Sequence, residues 1–480
     1  MSDAPLLTGL DDVRALVAAE DPDGRLLPCG LAALFIGQGA LHRVADAVEG
    51  LVPGGNEPVR VVLLVDGTPI QREGADVKAV VERQLASRFQ VSRVVLSDGH
   101  PELHVTDPVV QTAIDATTDA HVVVALGGGT ISDIAKLAVA ARPGLRLVTV
   151  MTAASVDGYT DNVSVVLREG VKRTVPSVWP DVVLADAETV ANAPARMNRA
   201  GYGEMTSMHV APADWRLAAI VGVDPSYHRG PVALLEAIGG RLDACAPGVR
   251  IGEPKAVQEL TWALAVRGIA TGVAGTTACL SGVEHLVSHM LDLRSAELGL
   301  PTGLHGEQVG AGSVLAACAW ELLQDRLEAE PAARIRPQML DRGRAEVRVR
   351  AAFAGLDPSG RIADECWNDY GRKLDRVTRC LTGITGALET WGSHAADLAA
   401  HVRPSHLIAA GLRSAGAPAR LDELGIDAVT ERWAVESCAL MRDRFTVVDL
   451  LTLLGWWEPS DVDELFVRLD RALASAAVTI

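Results

Sequence analysis

The run Val122-Val-Val-Ala-Leu-Gly127-Gly-Gly-Thr-Ile-Ser-Asp133-Ile-Ala-Lys136 decides the fold class. Five consecutive apolar residues suit a parallel strand buried on both faces. Three glycines follow, and then a stretch with helical periodicity. Glycines let the backbone approach a phosphate closely, and the helix N-terminus offers free N–H groups and positive dipole character. The spacing is not G-x-G-x-x-G, and a plain tight turn would need only one glycine. Placement between a strand and an amphipathic helix favours a phosphate-binding turn.

Upstream, Leu31–Ile36 reads as a strand and Gly39–Val52 as a helix, while residues 1–30 carry little signal. Val61–Val65 is a second buried strand, ending in Asp66-Gly-Thr68-Pro. A carboxylate or hydroxyl there meets the adenosine end of a dinucleotide, or else caps the next turn. A helix (74–87), a strand (92–97) and a helix (107–117) then lead to the glycine turn. Downstream, Leu145–Met151 is a strand that runs into Thr152-Ala-Ala-Ser155-Val-Asp157-Gly-Tyr-Thr-Asp161. Small and hydroxyl residues at a strand's carboxyl end belong at the ligand crevice of an open α/β sheet; the alternative is a turn with an Asx cap. Val163–Leu167 and Val182–Ala185 are two further strands, with Lys172 and Arg173 between them.

Near Pro194 the pattern changes. Apolar residues recur at helical period almost to the end, and strand-plus-glycine units stop. The expected domains are therefore an α/β unit over 1–193 and an all-α unit over 194–480. Predicted helices are Gln258–Ala270, Ala278–Leu293, Gly310–Leu323, Val377–Trp391 and Val429–Met441. Gly355–Arg361 and Gly416–Gly425 read as loops, and the arginine-rich Ala333–Arg350 as a solvated face.

The 480 residues suit two domains. A net charge of -17 argues against non-specific nucleic acid binding, because phosphate is repelled. No run of about 18 apolar residues suggests a membrane span. Met1–Pro5 lacks the basic and apolar segments of a signal peptide. Seven scattered cysteines, without close pairs, fit reduced thiols in a cytoplasm.

Three stretches carry candidate chemistry: Ala200-Gly-Tyr-Gly-Glu204, Ser281-Gly-Val-Glu-His285-Leu-Val-Ser-His289-Met and Leu304-His305-Gly-Glu-Gln308. Glu204, His285 and His305 each sit beside small residues and are read as the ligands of one divalent metal. Three ligands leave open positions for substrate oxygens. His285 and His289 share one helix face. Either both bind metal, or one does and the other hydrogen-bonds substrate.

With Gly127-Gly-Gly-Thr-Ile-Ser-Asp133, Thr152–Gly158, Asp214-Trp215 and Arg442-Asp-Arg-Phe-Thr446, these motifs resemble the sn-glycerol-1-phosphate dehydrogenase family, in order from about residue 30 to 460. That family lies in the iron-containing alcohol dehydrogenase and dehydroquinate synthase-like superfamily. The resemblance implies a Rossmann-like N-terminal domain and a helical C-terminal domain, with the active site in the interdomain cleft. It implies NAD or NADP at Gly127, Gly128, Gly129, Thr130, Ile131, Asp133, Thr152, Ser155 and Asp161, with Asp66 and Thr68 near the adenosine. It implies metal (zinc, with nickel or iron as alternatives) on Glu204, His285 and His305, and substrate contacts from Asp157 and His289. The implied reaction reduces a small phosphorylated ketone, dihydroxyacetone phosphate, and a homo-oligomer is expected.

Two residues depart from the family's pattern. Glu204 stands where aspartate is usual, and Asp161 where serine is usual. Glutamate with two histidines is also the ligand set of the dehydroquinate synthase-like cyclases. A sugar-phosphate cyclase or lyase that uses NAD catalytically is thus the alternative function.

Overall fold

The structure is a computed structural model that describes residues 7–52, 57–168 and 171–479. The chain divides into two compact units. The first comprises Met1–Tyr202 with Arg229–Gly275, and the second Gly203–His228 with Thr276–Ile480.

The first unit is built on a six-stranded parallel sheet. In chain order its described strands are β1 Ala33–Gly37, β2 Arg60–Asp66, β3 Gln71–Arg72, β4 Ala75–Asp76, β5 Gln90–Leu96, β6 Val122–Gly127, β7 Arg146–Met151, β8 Val163–Arg168, β9 Val171–Pro176 and β10 Val182–Asp186. The sheet order is β1-β10-β7-β6-β2-β5, while β3–β4 and β8–β9 form separate two-stranded ribbons. Alternation along each strand sends neighbouring residues to opposite faces. Leu63, Val65, Val124 and Leu126 pack on one side with Val44, Val48, Val77, Val81 and Leu85. Leu64, Val123 and Ala125 pack on the other with Val109, Ala113, Ile134 and Ala138. Helices thus cover both faces, which is why these strands read as unbroken apolar runs.

Chain direction across the sheet reverses at one place. From β2 the chain moves outward to β5, then returns to β6 on the far side of β2 and continues through β7 to β10. The carboxyl ends of β2 and β6 therefore flank the topological switch point, where open α/β sheets bind ligands. Asp66 ends one of these strands and Gly127 the other.

The second unit is helical. Its longest helix, His305–Ala329, is buried without a break from Gly306 to Trp320, so neighbours enclose it on every side there. It packs against helices Val283–Leu298, Ser405–Ala415, Val447–Leu454 and Pro459–Thr479.

Several boundaries differ from those predicted. Helices Arg229–Ile251 and Pro254–Ala274 group with the sheet-bearing unit, although they lie beyond residue 193. The expected helix over 377–391 is interrupted: Arg361–Arg379, Leu381–Glu389 and Trp391–Ala399 are separate, broken at Cys380 and Thr390, whose backbone angles leave the helical region. Helix Leu10–Glu20 lies in the stretch 1–30, which carried little sequence signal. The arginine-rich segment forms helix Arg342–Phe353, with Arg342 on Asp375 and Arg350 on Glu346 and Asp364, as a solvated face should.

Candidate active site

In the first unit the glycine turn has the expected form. Helix Gly129–Ala140 starts directly after β6, so its first N–H groups have no carbonyl four residues back. A side chain at Gly127 would press on Ile131 Cγ1 at 2.8 Å, and one at Gly129 on Val156 Cγ2 at 2.8 Å. Gly128 borders open space, with nothing within 4 Å of a Cβ there. Packing thus leaves no room for a side chain at two of the glycines, while the middle one borders open space beside the helix N-terminus. Thr152 N donates to Gly127 O at 3.2 Å, joining this turn to the loop after β7. Thr152 and Ser155 are buried there.

That loop is held from two sides. Lys136, fully buried, donates to Asp161 Oδ1 at 2.7 Å and Gly158 O at 2.7 Å, and also bonds Val163 O. Asp133 Oδ1 lies 3.1 Å from the same ammonium, and Asp133 Oδ2 accepts from Val165 N at 3.2 Å. Asp133 and Asp161, expected at the cofactor, are thus turned inward, because a buried ammonium needs acceptors. Burial pushes the Asp161 carboxyl up to about 6, with Lys136 opposing and Asp157 adding to the rise. Burial works against the Lys136 charge, but Asp161 and Asp133 outweigh it and raise its pKa. Asp157 is ion-paired with the buried Arg267 of helix Pro254–Ala274. Thr160 Oγ1 donates to Ala265 O of that helix at 2.8 Å.

The second unit gathers the expected ligands. Glu204, His285 and His305 each offer one ligand atom, all within 4.8 Å of one another. His285 Nε2 lies 3.4 Å from Glu204 Oε1, and His305 Nε2 lies 3.8 Å from Glu204 Oε2. Ligands about 2.0–2.1 Å from a tetrahedral ion are roughly 3.3 Å apart, so the set fits a small divalent metal after minor adjustment. The far nitrogen of each ring is engaged as well. His285 Nδ1 lies 2.8 Å from Glu284 Oε1, and His305 Nδ1 lies 2.9 Å from Ser288 Oγ. Ser288 in turn donates to Gln308 Oε1 at 2.7 Å. Such partners fix the tautomer that presents an Nε2 lone pair to a metal. His289 is half-buried, its ring centroid 6.1 Å from that of His305 and 6.3 Å from that of His285.

Backbone proximity creates this cluster. A Cβ on Gly203 would collide with Gly306 O, and Gly310 abuts Gly203 Cα in return. The residues next to that contact are Glu204 and His305. Across the same long helix, a Cβ on Gly312 would meet Glu284 O at 2.8 Å, beside His285. Asp214 adds a further tie: Oδ1 accepts from Val447 N at 2.9 Å and Oδ2 from Val283 N at 3.1 Å, so one carboxylate caps two helices. Burial, reinforced by Glu284, raises its pKa well above the usual range, and the two amides oppose this.

Sequence reasoning missed Lys136, Arg267, Glu284 and Ser288 as site residues. Lys136, three residues after Asp133, and Ser288, three after His285, each share a helix face with a residue already singled out, a spacing that could have revealed them.

Comparison with known proteins agrees with this picture. A family model for iron-containing alcohol dehydrogenases matches residues 35–194. The glycerol-1-phosphate dehydrogenase [NAD(P)+] of Natronomonas pharaonis is 32% identical over 283 residues, 59% of this chain and 75% of the relative. That of Thermococcus kodakarensis is 32% identical over 255 residues, 52% of this chain and 69% of the relative. Among solved structures, maleylacetate reductase from Agrobacterium tumefaciens superposes with a TM-score of 0.55 at 18% identity, covering 93% of this chain and 97% of that one. At that identity the likeness concerns the fold alone.

Three outcomes follow from the geometry. Gly203→Ala forces two backbones apart, lowers stability by about 1–3 kcal/mol, and reduces bound metal per chain after gel filtration. Burial disfavours the His285 imidazolium, but hydrogen bonds to Glu204 and Glu284 outweigh it and lift its pKa to about 9 without metal. Metal must displace that proton, so zinc affinity rises about tenfold per pH unit between neutrality and that pKa and then levels off. Calorimetry in buffers of different ionisation enthalpy reads the released proton. Asp161→Ser, although it restores the family's usual residue, strips a partner from buried Lys136. It destabilises the protein by about 3 kcal/mol in denaturant titrations, the low end for a broken buried pair because Asp133 remains.

Proposed function

We propose an activity for this chain from one premise: it belongs to the glycerol-1-phosphate dehydrogenase family. It is an NAD(P)-linked, metal-dependent oxidoreductase that interconverts a small ketone and its alcohol. The observation that carries this reading is the convergence of Glu204, His285 and His305 within 4.8 Å, each imidazole held by a partner on its far nitrogen. When bound, the metal supplies Lewis acidity at a substrate oxygen and the nicotinamide gives or takes a hydride.

The chain's own residues do the rest. Glu284 and Ser288 orient the two ligand imidazoles. Arg267 holds Asp157 in an ion pair, and the carboxylate oxygens of Asp157 suit a substrate hydroxyl as acceptors. His289, close to both ligand rings, orients the substrate or relays the proton that a carbonyl oxygen gains as hydride arrives at carbon. Zinc is the ion assigned, because two imidazoles and a carboxylate with an open position form its common catalytic set; nickel and iron are the alternatives.

The substrate assigned is dihydroxyacetone phosphate, reduced to sn-glycerol 1-phosphate; the relatives are named for glycerol-1-phosphate. The charge of Asp161 is met by Lys136, which removes the main objection to a phosphorylated substrate. A homo-oligomer in a reducing cytoplasm completes the assignment, and the described cysteines are all free thiols. Glu204 keeps the cyclase reading in play, since that reaction uses the same ligand types.

One assay separates the two. With dihydroxyacetone phosphate, the zinc-loaded enzyme should oxidise reduced cofactor stoichiometrically. Chelation should abolish the rate, and Glu204→Ala or His305→Ala should lower kcat/KM by about a thousandfold or more. Turnover of a sugar phosphate with no net cofactor change would point to the cyclase. No cofactor oxidation with any small ketone, phosphorylated or not, would sink the dehydrogenase.

A further inference from the structure

Lys78 is the second residue of helix Val77–Ala86 and is 3% exposed. Lysine is seldom buried to that degree unless its charge is paired. Its Nζ donates to Asp66 Oδ1 at 2.7 Å, to Asp66 O at 2.6 Å and to Thr68 O at 2.6 Å. Three acceptors satisfy all three ammonium protons. The second carboxylate oxygen, Asp66 Oδ2, accepts from Thr68 Oγ1 at 2.7 Å. Asp66 is thus pinned on both oxygens and charge-compensated from below, while its side chain stays 19% exposed.

Its position gives this pairing a consequence. β2 and β6 are paired in register with Leu64 opposite Ala125. Two residues further on, Asp66 stands level with Gly127 at the switch point. An acid at the end of the strand beside a phosphate turn reads the ribose 2′-hydroxyl of a dinucleotide. Left uncompensated, it repels a 2′-phosphate. Lys78 is too deeply buried to reach a phosphate itself, so any influence it has on the ligand passes through Asp66.

Resting on the dinucleotide reading of this unit, we propose that Lys78 is a positioning residue for cofactor choice: by cancelling the Asp66 charge, it lets one ribose pocket accept both NAD and NADP. The carboxylate still offers lone pairs to a 2′-hydroxyl, and the local field no longer excludes a 2′-phosphate.

Binding of NADH and NADPH to the full-length protein, followed by cofactor fluorescence, tests this. Wild type should bind the two with Kd values within about tenfold of each other. Lys78→Met should weaken NADPH relative to NADH by about tenfold or more, through exposed like charge. Asp66→Asn, with Lys78 intact, should move the ratio the opposite way by a similar factor, and the double variant should return it near the wild-type value. A lysine that merely staples the turn would lower the melting temperature and leave the ratio unmoved, which overturns the proposal. If Lys78→Met fails to fold, Asp66→Asn decides: an unchanged ratio overturns it. A wild type selective by more than about a hundredfold for either cofactor also overturns it. A wild type that binds neither defeats the dehydrogenase reading itself, an outcome distinct from a fixed ratio.

Discussion

The contact between Gly203 and Gly306, where no side chain separates two helical backbones, is the constraint on which the second unit depends. Hydrophobic burial is non-directional and could pack these helices in several registers. Backbone touching backbone at one point selects a single register. Glu204 follows one of these glycines in sequence and His305 precedes the other. Gly312 against Glu284 fixes the third element in the same way. Once backbone contacts set the register, ordinary side-chain torsions suffice to turn two Nε2 atoms and two carboxylate oxygens toward one point.

Charge is managed by a common rule in both units. Several buried ions are matched by a partner outside their own element: Lys136 by Asp161, alongside Asp133 of its own helix, Arg267 by Asp157, and Lys373 by Asp449 at 2.7 Å. Such pairs add little net stability, since desolvation offsets most of the Coulomb gain. They do fix geometry, because breaking one strands a charge in a medium that cannot solvate it. The loop after β7 and the turn after β2 both use this device, and both lie at the carboxyl edge of the sheet. Rigid ion pairs there hold both segments in place.

Much of this was legible in the sequence, for identifiable reasons. The strands around Gly127 were visible because burial on both faces demands unbroken apolar runs. The ligand triplet was visible because three of the chain's 12 histidines fall within 21 residues and each ligand stretch carries glycine. What stayed hidden depends on context that spacing does not encode. Helical periodicity shows that Pro254–Ala274 is a helix, not that it belongs with the sheet. The break at Cys380 interrupts no apolar pattern. Lys78 and Lys136 look like surface lysines on amphipathic helices, and only burial distinguishes them. Asp161 read as a charge facing a ligand until its inward partner was seen.

The meeting of Gly203 with Gly306 also limits how this centre can be retuned. Peptide planes in direct touch act as a gauge block: no substitution can narrow the gap, and every side chain would widen it. The length of the acidic arm at 204 is then the one adjustable dimension on that side of the cage. Glutamate there gives an arm one methylene longer than aspartate would, and that change in reach leaves the scaffold undisturbed.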